Sequence, residues 1–125
     1  NGYLEAPSGG PLVQHAVEAL FEMHHRGRIS VEKLIEKIAH NPAILFEIKD
    51  RGYIRVGYKA DLVLVDPNSP WTVSKENIAY KCGWSPFEGT TFTSRITHTF
   101  VNGTLCYELG KYGTKPKAER LTFNR

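Results

Sequence analysis

Apolar positions along the chain change their period once, near residue 49. Before it they recur at helical spacing: Leu12, Ala16 and Leu20 form one stripe and Val13, Val17 and Phe21 the next. Pro11 suits a first helical position and Gly27 a stop, so a helix is predicted between them. Ser30 is placed to cap a second helix with Leu34, Ile35, Ile38 and Ala39 on its apolar face. Asn41-Pro42 is expected to end that helix and to restart a short helical turn through Phe46, Asn41 capping. Beyond Ile48 the pattern is that of strands. A short one is expected over 52–56, and residues 61–66 hold the continuous run Leu62-Val63-Leu64-Val65, which calls for burial on both faces. Pro67-Asn68-Ser69-Pro70 stops it, and Trp71 to Val73 begins another. Segments 96–101 and 104–107 flank Asn102-Gly103, a hairpin signal because both residues tolerate positive φ. A regular ladder around that turn puts His98 beside Tyr107.

Helices followed by strands predict an α+β fragment, or parts of two domains, divided as 1–48 and 49–125. So few strands cannot cover both faces of the run at Leu62, and partner strands are expected from elsewhere. No internal repeat is found.

Composition adds limits. The chain has 125 residues, 41% hydrophobic and 23% charged, which is ordinary for a globular domain and excludes disorder as the default. No run approaches the roughly 18 apolar residues of a membrane helix, and residues 1–10 lack the basic and apolar regions of a secretory signal. A cytoplasmic protein with no membrane partner is the simplest expectation. Cys82 and Cys106 form no CxxC pattern and are expected to be buried, reduced thiols. The net charge of +3 is uneven: residues 111–125 carry +4, leaving −1 for the rest. Tyr112 and Phe123 interleave with those charges, as in a nucleic-acid arm, but a solvated terminus accounts for them as well and nucleic acid is not expected as a partner.

Candidate chemistry is sparse. The five histidines, His15, His24, His25, His40 and His98, form neither HxH nor HExxH. His40 is expected beside a helix end, satisfying a carbonyl. There is no GxSxG elbow, and Leu105 stands where a phosphate loop ending in Gly110-Lys111 needs glycine. Asn102-Gly103-Thr104 matches a glycosylation sequon formally, inside a tight turn. What stands out is Ala6-Pro7-Ser8-Gly9-Gly10-Pro11, a rigid loop opening onto a helix start. It reads first as a tight turn; its unencumbered amides, aided by the helix dipole, could also hold an anionic or carbonyl-bearing ligand.

Several segments resemble the cyclic amidohydrolases. Asn41-Pro42-Ala43 with Leu45-Phe46, Gly52-Tyr53-Ile54, Gly57, and the stretch from Lys59 to Asp66 resemble the portion these enzymes carry between barrel and small sandwich, shared by hydantoinases and allantoinases. Lys81-Cys82-Gly83-Trp84-Ser85-Pro86-Phe87-Glu88-Gly89, followed by Thr99-Phe100-Val101-Asn102-Gly103, narrows the resemblance to the dihydroorotases and covers nearly the whole chain with the rest.

That resemblance implies the last helices of a (β/α)₈ barrel, residues 11–40 packing its exterior, plus about half of a composite β-sandwich. It implies a Zn²⁺ enzyme that opens the cyclic amide of dihydroorotate to N-carbamoyl-aspartate in pyrimidine biosynthesis. The metal ligands and the catalytic aspartate would lie upstream of Asn1, so no catalytic or metal residue is assigned within the chain. Ser8 and Gly9 match the end of the family's Ala-Pro-Phe-Gly loop and are the implied substrate contacts, made by main chain. The sequence departs from that pattern at Ser8, where an aromatic is usual, and at Leu12-Val13-Gln14, where Gly-Leu-Glu is usual. The alternatives are a hydantoinase or allantoinase and a non-catalytic dihydroorotase-like subunit. A chain without an initiating Met, starting inside such a loop, is expected to be partial, with the missing amino-terminal part as its partner; a homo-oligomer is compatible with it.

Overall fold

The computed structural model describes residues 2, 9–116 and 118–124. A 3₁₀ turn, Val13–His15, leads into α1, Ala16–His25. Gly27, at φ 67°, stops it as expected, its amide bonding the His24 carbonyl at 2.8 Å. Ser30 caps α2, Val31–Ile35, accepting from the Lys33 amide at 3.2 Å. Asn41-Pro42 does not end this helix. Asn41 is itself helical, at φ −61° and ψ −42°, and a wide π turn, Glu36–His40, joins α2 to α3, Asn41–Leu45. The Asn41 amide reaches back five residues to the Glu36 carbonyl, which lets the helix absorb a proline that cannot donate.

Leu34, fully buried, Phe21 and Ala43 form the apolar core of the helices. Gly52 closes against them, since a Cβ there would overlap Ala43 Cβ and lie 2.8 Å from the Ala39 carbonyl. The expected strand over 52–56 is absent. The Gly52 carbonyl accepts from His40 Nδ1 at 2.6 Å, and Tyr53 stacks on the His40 ring at 4.2 Å. With these groups committed to the helix, no ladder forms, and Ile54 is left 88% exposed with Val56 fully so. His40 does satisfy a carbonyl, but that of Gly52 and not one at a helix end.

The strands are β1 Leu62–Asp66, β2 Trp71–Thr72, β3 Thr91–Phe92, β4 Arg95–Val101, β5 Thr104–Glu108 and β6 Lys111–Tyr112. β1, β4, β5 and β6 make one antiparallel sheet in the order β1-β4-β5-β6, and β2 pairs with β3 separately. Asn102 and Gly103 turn at φ 48° and 77°, as the type I′ reading requires. His98 faces Glu108 instead of Tyr107: Phe100 pairs with Leu105 and Thr99 with Tyr107, so Cys106 is an extra residue that shifts the register. The turn is fastened from outside. Arg51 pairs with Asp61 and reaches Asn102 Oδ1 at 3.0 Å, while the Asn102 amide donates to Asp61 at 2.8 Å.

β1 is not covered on both faces here; Val63 and Leu64 remain 46% and 49% exposed. Both cysteines are free, but Cys82 is exposed, on a loop, and Cys106 half-buried, so the expectation of two buried thiols fails. The tail is not wholly solvated. Phe123 bridges Ile48, with the Lys49 amide donating to Thr122 and the Asn124 amide to Glu47, both at 2.9 Å.

Two glycine substitutions separate strain from overlap. A Cβ at Gly103 meets no atom within 4 Å, and Gly103→Val should cost about 1–2 kcal/mol chiefly through its positive φ. Gly52→Ala adds a steric clash to the same strain and should cost about 3 kcal/mol or more, read as the larger loss of Tm in the intact polypeptide.

Candidate functional site

Of the two implied substrate contacts, Ser8 lies outside the described residues. Gly9 is described, exposed and at φ 85°, with open space where a Cβ would sit. Gly10 is exposed as well, and Pro11 and Leu12 lead into the 3₁₀ turn.

The stem beyond these glycines is tightly built. The Gln14 amide donates to the Tyr80 hydroxyl at 2.7 Å, its Nε2 to the Asn77 carbonyl at 2.8 Å, and its Oε1 accepts from the Ala79 amide at 2.8 Å. His15 is wholly buried among Trp71, Tyr80, Phe87 and Phe92, whose ring centres lie 5.8–6.2 Å from its own. Ser85 Oγ sits 3.2 Å from His15 Nδ1 and accepts from the Phe87 amide, so its hydroxyl proton is free to go to the ring. The neutral ring then carries its proton on Nε2, which has no hydrogen-bond partner among the described residues. Burial pushes the His15 pKa below the ordinary 6.5.

The same side of α1 continues with acidic groups. Glu18 is 5% exposed, and burial pushes its pKa above the ordinary 4.5 against the pull of its own and the Ile96 amides; its Oε2 has no partner among the described residues. Glu22 accepts from the Thr93 amide at 3.2 Å, chiefly by which its pKa is lowered. His25 Nε2 bonds Ser94 Oγ at 2.8 Å. Thus α1 docks onto β2, β3 and the start of β4 largely through polar groups. Of the predicted stripes Phe21 is buried, whereas Leu12 and Val13 at their start are 48% and 89% exposed. The neglected signal was the spacing of His15, Glu18, Glu22 and His25, which is itself helical.

Chemically, the region offers backbone amides at Gly9 and Gly10 on a braced stem. Among the described residues, no group of three or more His, Cys, Asp or Glu is placed to hold a metal, so these residues do not fit a zinc site. None of the described helices is long and apolar enough to cross a membrane.

The sequence pattern of the Amidohydrolase family matches residues 7–106. The chain belongs to the amidohydrolase family. Among its relatives, the dihydroorotase of Pyrococcus horikoshii is 32% identical over 114 residues, 91% of this chain and 27% of that protein. The allantoinase of Desulfitobacterium hafniense is 32% identical over 102 residues, 82% of this chain and 23% of that protein. The solved L-hydantoinase (dihydropyrimidinase) of Arthrobacter aurescens superposes with a TM-score of 0.82 at 27% identity, over 90% of this chain and 25% of that one. This amidohydrolase chain therefore spans about a quarter of the length of the proteins it matches, and its fold is a piece of theirs.

The buried groups on α1 give opposite pH responses. Between its depressed value and 6.5, folded His15 refuses a proton that the unfolded chain accepts, so its contribution to stability is lost as pH falls below 6.5. Folded Glu18 keeps a proton above 4.5 that the unfolded chain releases; its contribution is full below 4.5 and lost as pH rises through its raised value. Glu18→Gln should raise Tm at pH 7.5 by on the order of a few degrees and leave it nearly unchanged at pH 4. His15→Asn should flatten the decline of Tm from pH 6.5 to 5; thermal melts across that range check both.

Proposed function

We propose that this chain is the carboxy-terminal part of a dihydroorotase, which hydrolyses the cyclic amide of dihydroorotate reversibly to N-carbamoyl-aspartate. Residues 1–48 would complete the catalytic barrel, and residues 49–125 would supply about half of a composite sandwich. The observation that carries the reading is the placement of the segment 81–89, whose sequence resembles dihydroorotases more narrowly than the rest. Its Ser85 and Phe87 close the cage around His15, six residues beyond Gly9. That couples the dihydroorotase-like segment to the stem of the loop assigned to substrate.

In this reading Gly9 and its neighbour Ser8 meet the pyrimidine ring by main chain, the loop orienting the ring while the bond-breaking groups come from elsewhere in the polypeptide. Zinc, where bound, would be held there too, and no step of the reaction is assigned to residues of this chain beyond binding. A cytoplasmic place in pyrimidine biosynthesis goes with it. The equal identity to an allantoinase and the superposition on a hydantoinase support a second reading, a hydantoinase or allantoinase acting on another cyclic amide.

The test compares the full-length polypeptide with residues 1–125 alone. The full-length protein should turn over dihydroorotate and contain zinc. The chain alone should do neither, and should self-associate through exposed Ile54, Val56, Val63 and Leu64. Zinc content, sedimentation and turnover are measured on both. Stoichiometric zinc and turnover in a monomeric 125-residue chain would overturn the assignment; a full-length protein that opens hydantoin or allantoin but not dihydroorotate would establish the second reading.

A further inference from the structure

Beyond the local turn bonds at Leu12 and Val13, Gln14 makes three hydrogen bonds to distant residues, and all three end on the segment 77–80. That segment is stiff on its own account. Ser74 and Asn77 cap one another, the Ser74 amide donating to Asn77 Oδ1 at 2.9 Å, and Asn77 Nδ2 donates to the Thr72 carbonyl at 2.8 Å. Val73, next to it, is 1% exposed and bonds Thr90 and Gly89 through its amide and carbonyl. On the other side of the helix start, Val13 is 89% exposed. A helix start leaves its first amides without partners, and the Gln14 amide is one of them, here taken by a tyrosine hydroxyl. Using the main chain and both side-chain heteroatoms of one residue against one segment fixes both the place and the direction of the backbone entering the helix.

We infer that Gln14 and Tyr80 are positioning residues, which set the direction of the Gly9 and Gly10 amides by anchoring the stem of that turn to the segment 77–80. The inference rests on the proposed role of Gly9 in substrate binding. The energetic scale is that of two or three hydrogen bonds whose loss frees a loop, enough to change affinity for a ligand held by main chain about tenfold. Neither residue touches the reacting atoms, so the effect should fall on binding and leave the chemical step alone.

The experiment uses the full-length protein. Gln14→Leu removes both side-chain bonds, Tyr80→Phe removes one oxygen, and Leu34→Ala destabilises the helical core away from the segment 77–80 as a control. For each, kcat and KM are measured well below Tm on dihydroorotate, hydantoin and allantoin, and amide hydrogen exchange is measured at Gly9, Gly10 and Leu12. Gln14→Leu should raise KM about tenfold with kcat within about twofold, and should speed exchange at those three amides. Tyr80→Phe should do the same to a smaller degree, and decides the matter if Gln14→Leu does not fold. Leu34→Ala should change neither. Wild-type KM and exchange in Gln14→Leu, or equal changes in Leu34→Ala, would overturn the inference. Failure of the wild type on every cyclic amide sinks the functional assignment instead, and the exchange rates then decide the positioning role alone.

Discussion

The packing around the candidate site centres on a histidine shielded from solvent. A neutral imidazole enclosed by four aromatic rings can be tolerated only if at least one of its nitrogens is met, and Ser85 meets Nδ1 from a loop seventy positions further along the chain. That single requirement brings the loop between β2 and β3 onto the first turn of α1. Once the loop is there, Gln14 finds its partners at 77–80, Trp71 reaches the Ser94 carbonyl at 3.1 Å, and the acidic groups of α1 find the amides of Thr93 and Ile96. Polar contacts thus help to join the helical and stranded parts, alongside the aromatic packing around His15.

This explains which features could be read from the residue order and which could not. Local rules worked where the chain is its own environment. Ser30 caps because a hydroxyl three residues before an amide needs nothing else, and Asn102-Gly103 turns because both residues accept positive φ. They failed where a distant partner decides. Residues 52–56 have strand composition, but His40 and Ala43 claim Gly52 and Tyr53 first. The His98 register was set by an extra residue at Cys106, which alternation alone does not reveal.

The site shows the same division. The glycines at positions 9 and 10 were legible as a place where backbone could meet a ligand, because missing side chains are visible in any sequence. Gln14 and His15 were not, since their hydrogen-bond partners lie more than sixty positions away. The resemblance to cyclic amidohydrolases supplied what local rules could not, the family, and the match over residues 7–106 places the chain in it.

The π turn at Glu36–His40 has a consequence for how this segment can change length. An α-helix advances about 100° per residue, so one additional residue rotates everything beyond it by more than a quarter of a circle. Here that rotation is what faces Ala43 toward Gly52 and sends the Asn41 amide to a carbonyl five positions back. Removing one residue from the turn would restore ordinary helix and, by that very tidiness, aim Ala43 elsewhere and unseat the glycine packed on it. Related chains should therefore keep the number of residues between Ser30 and Gly52 constant even where the residues themselves differ.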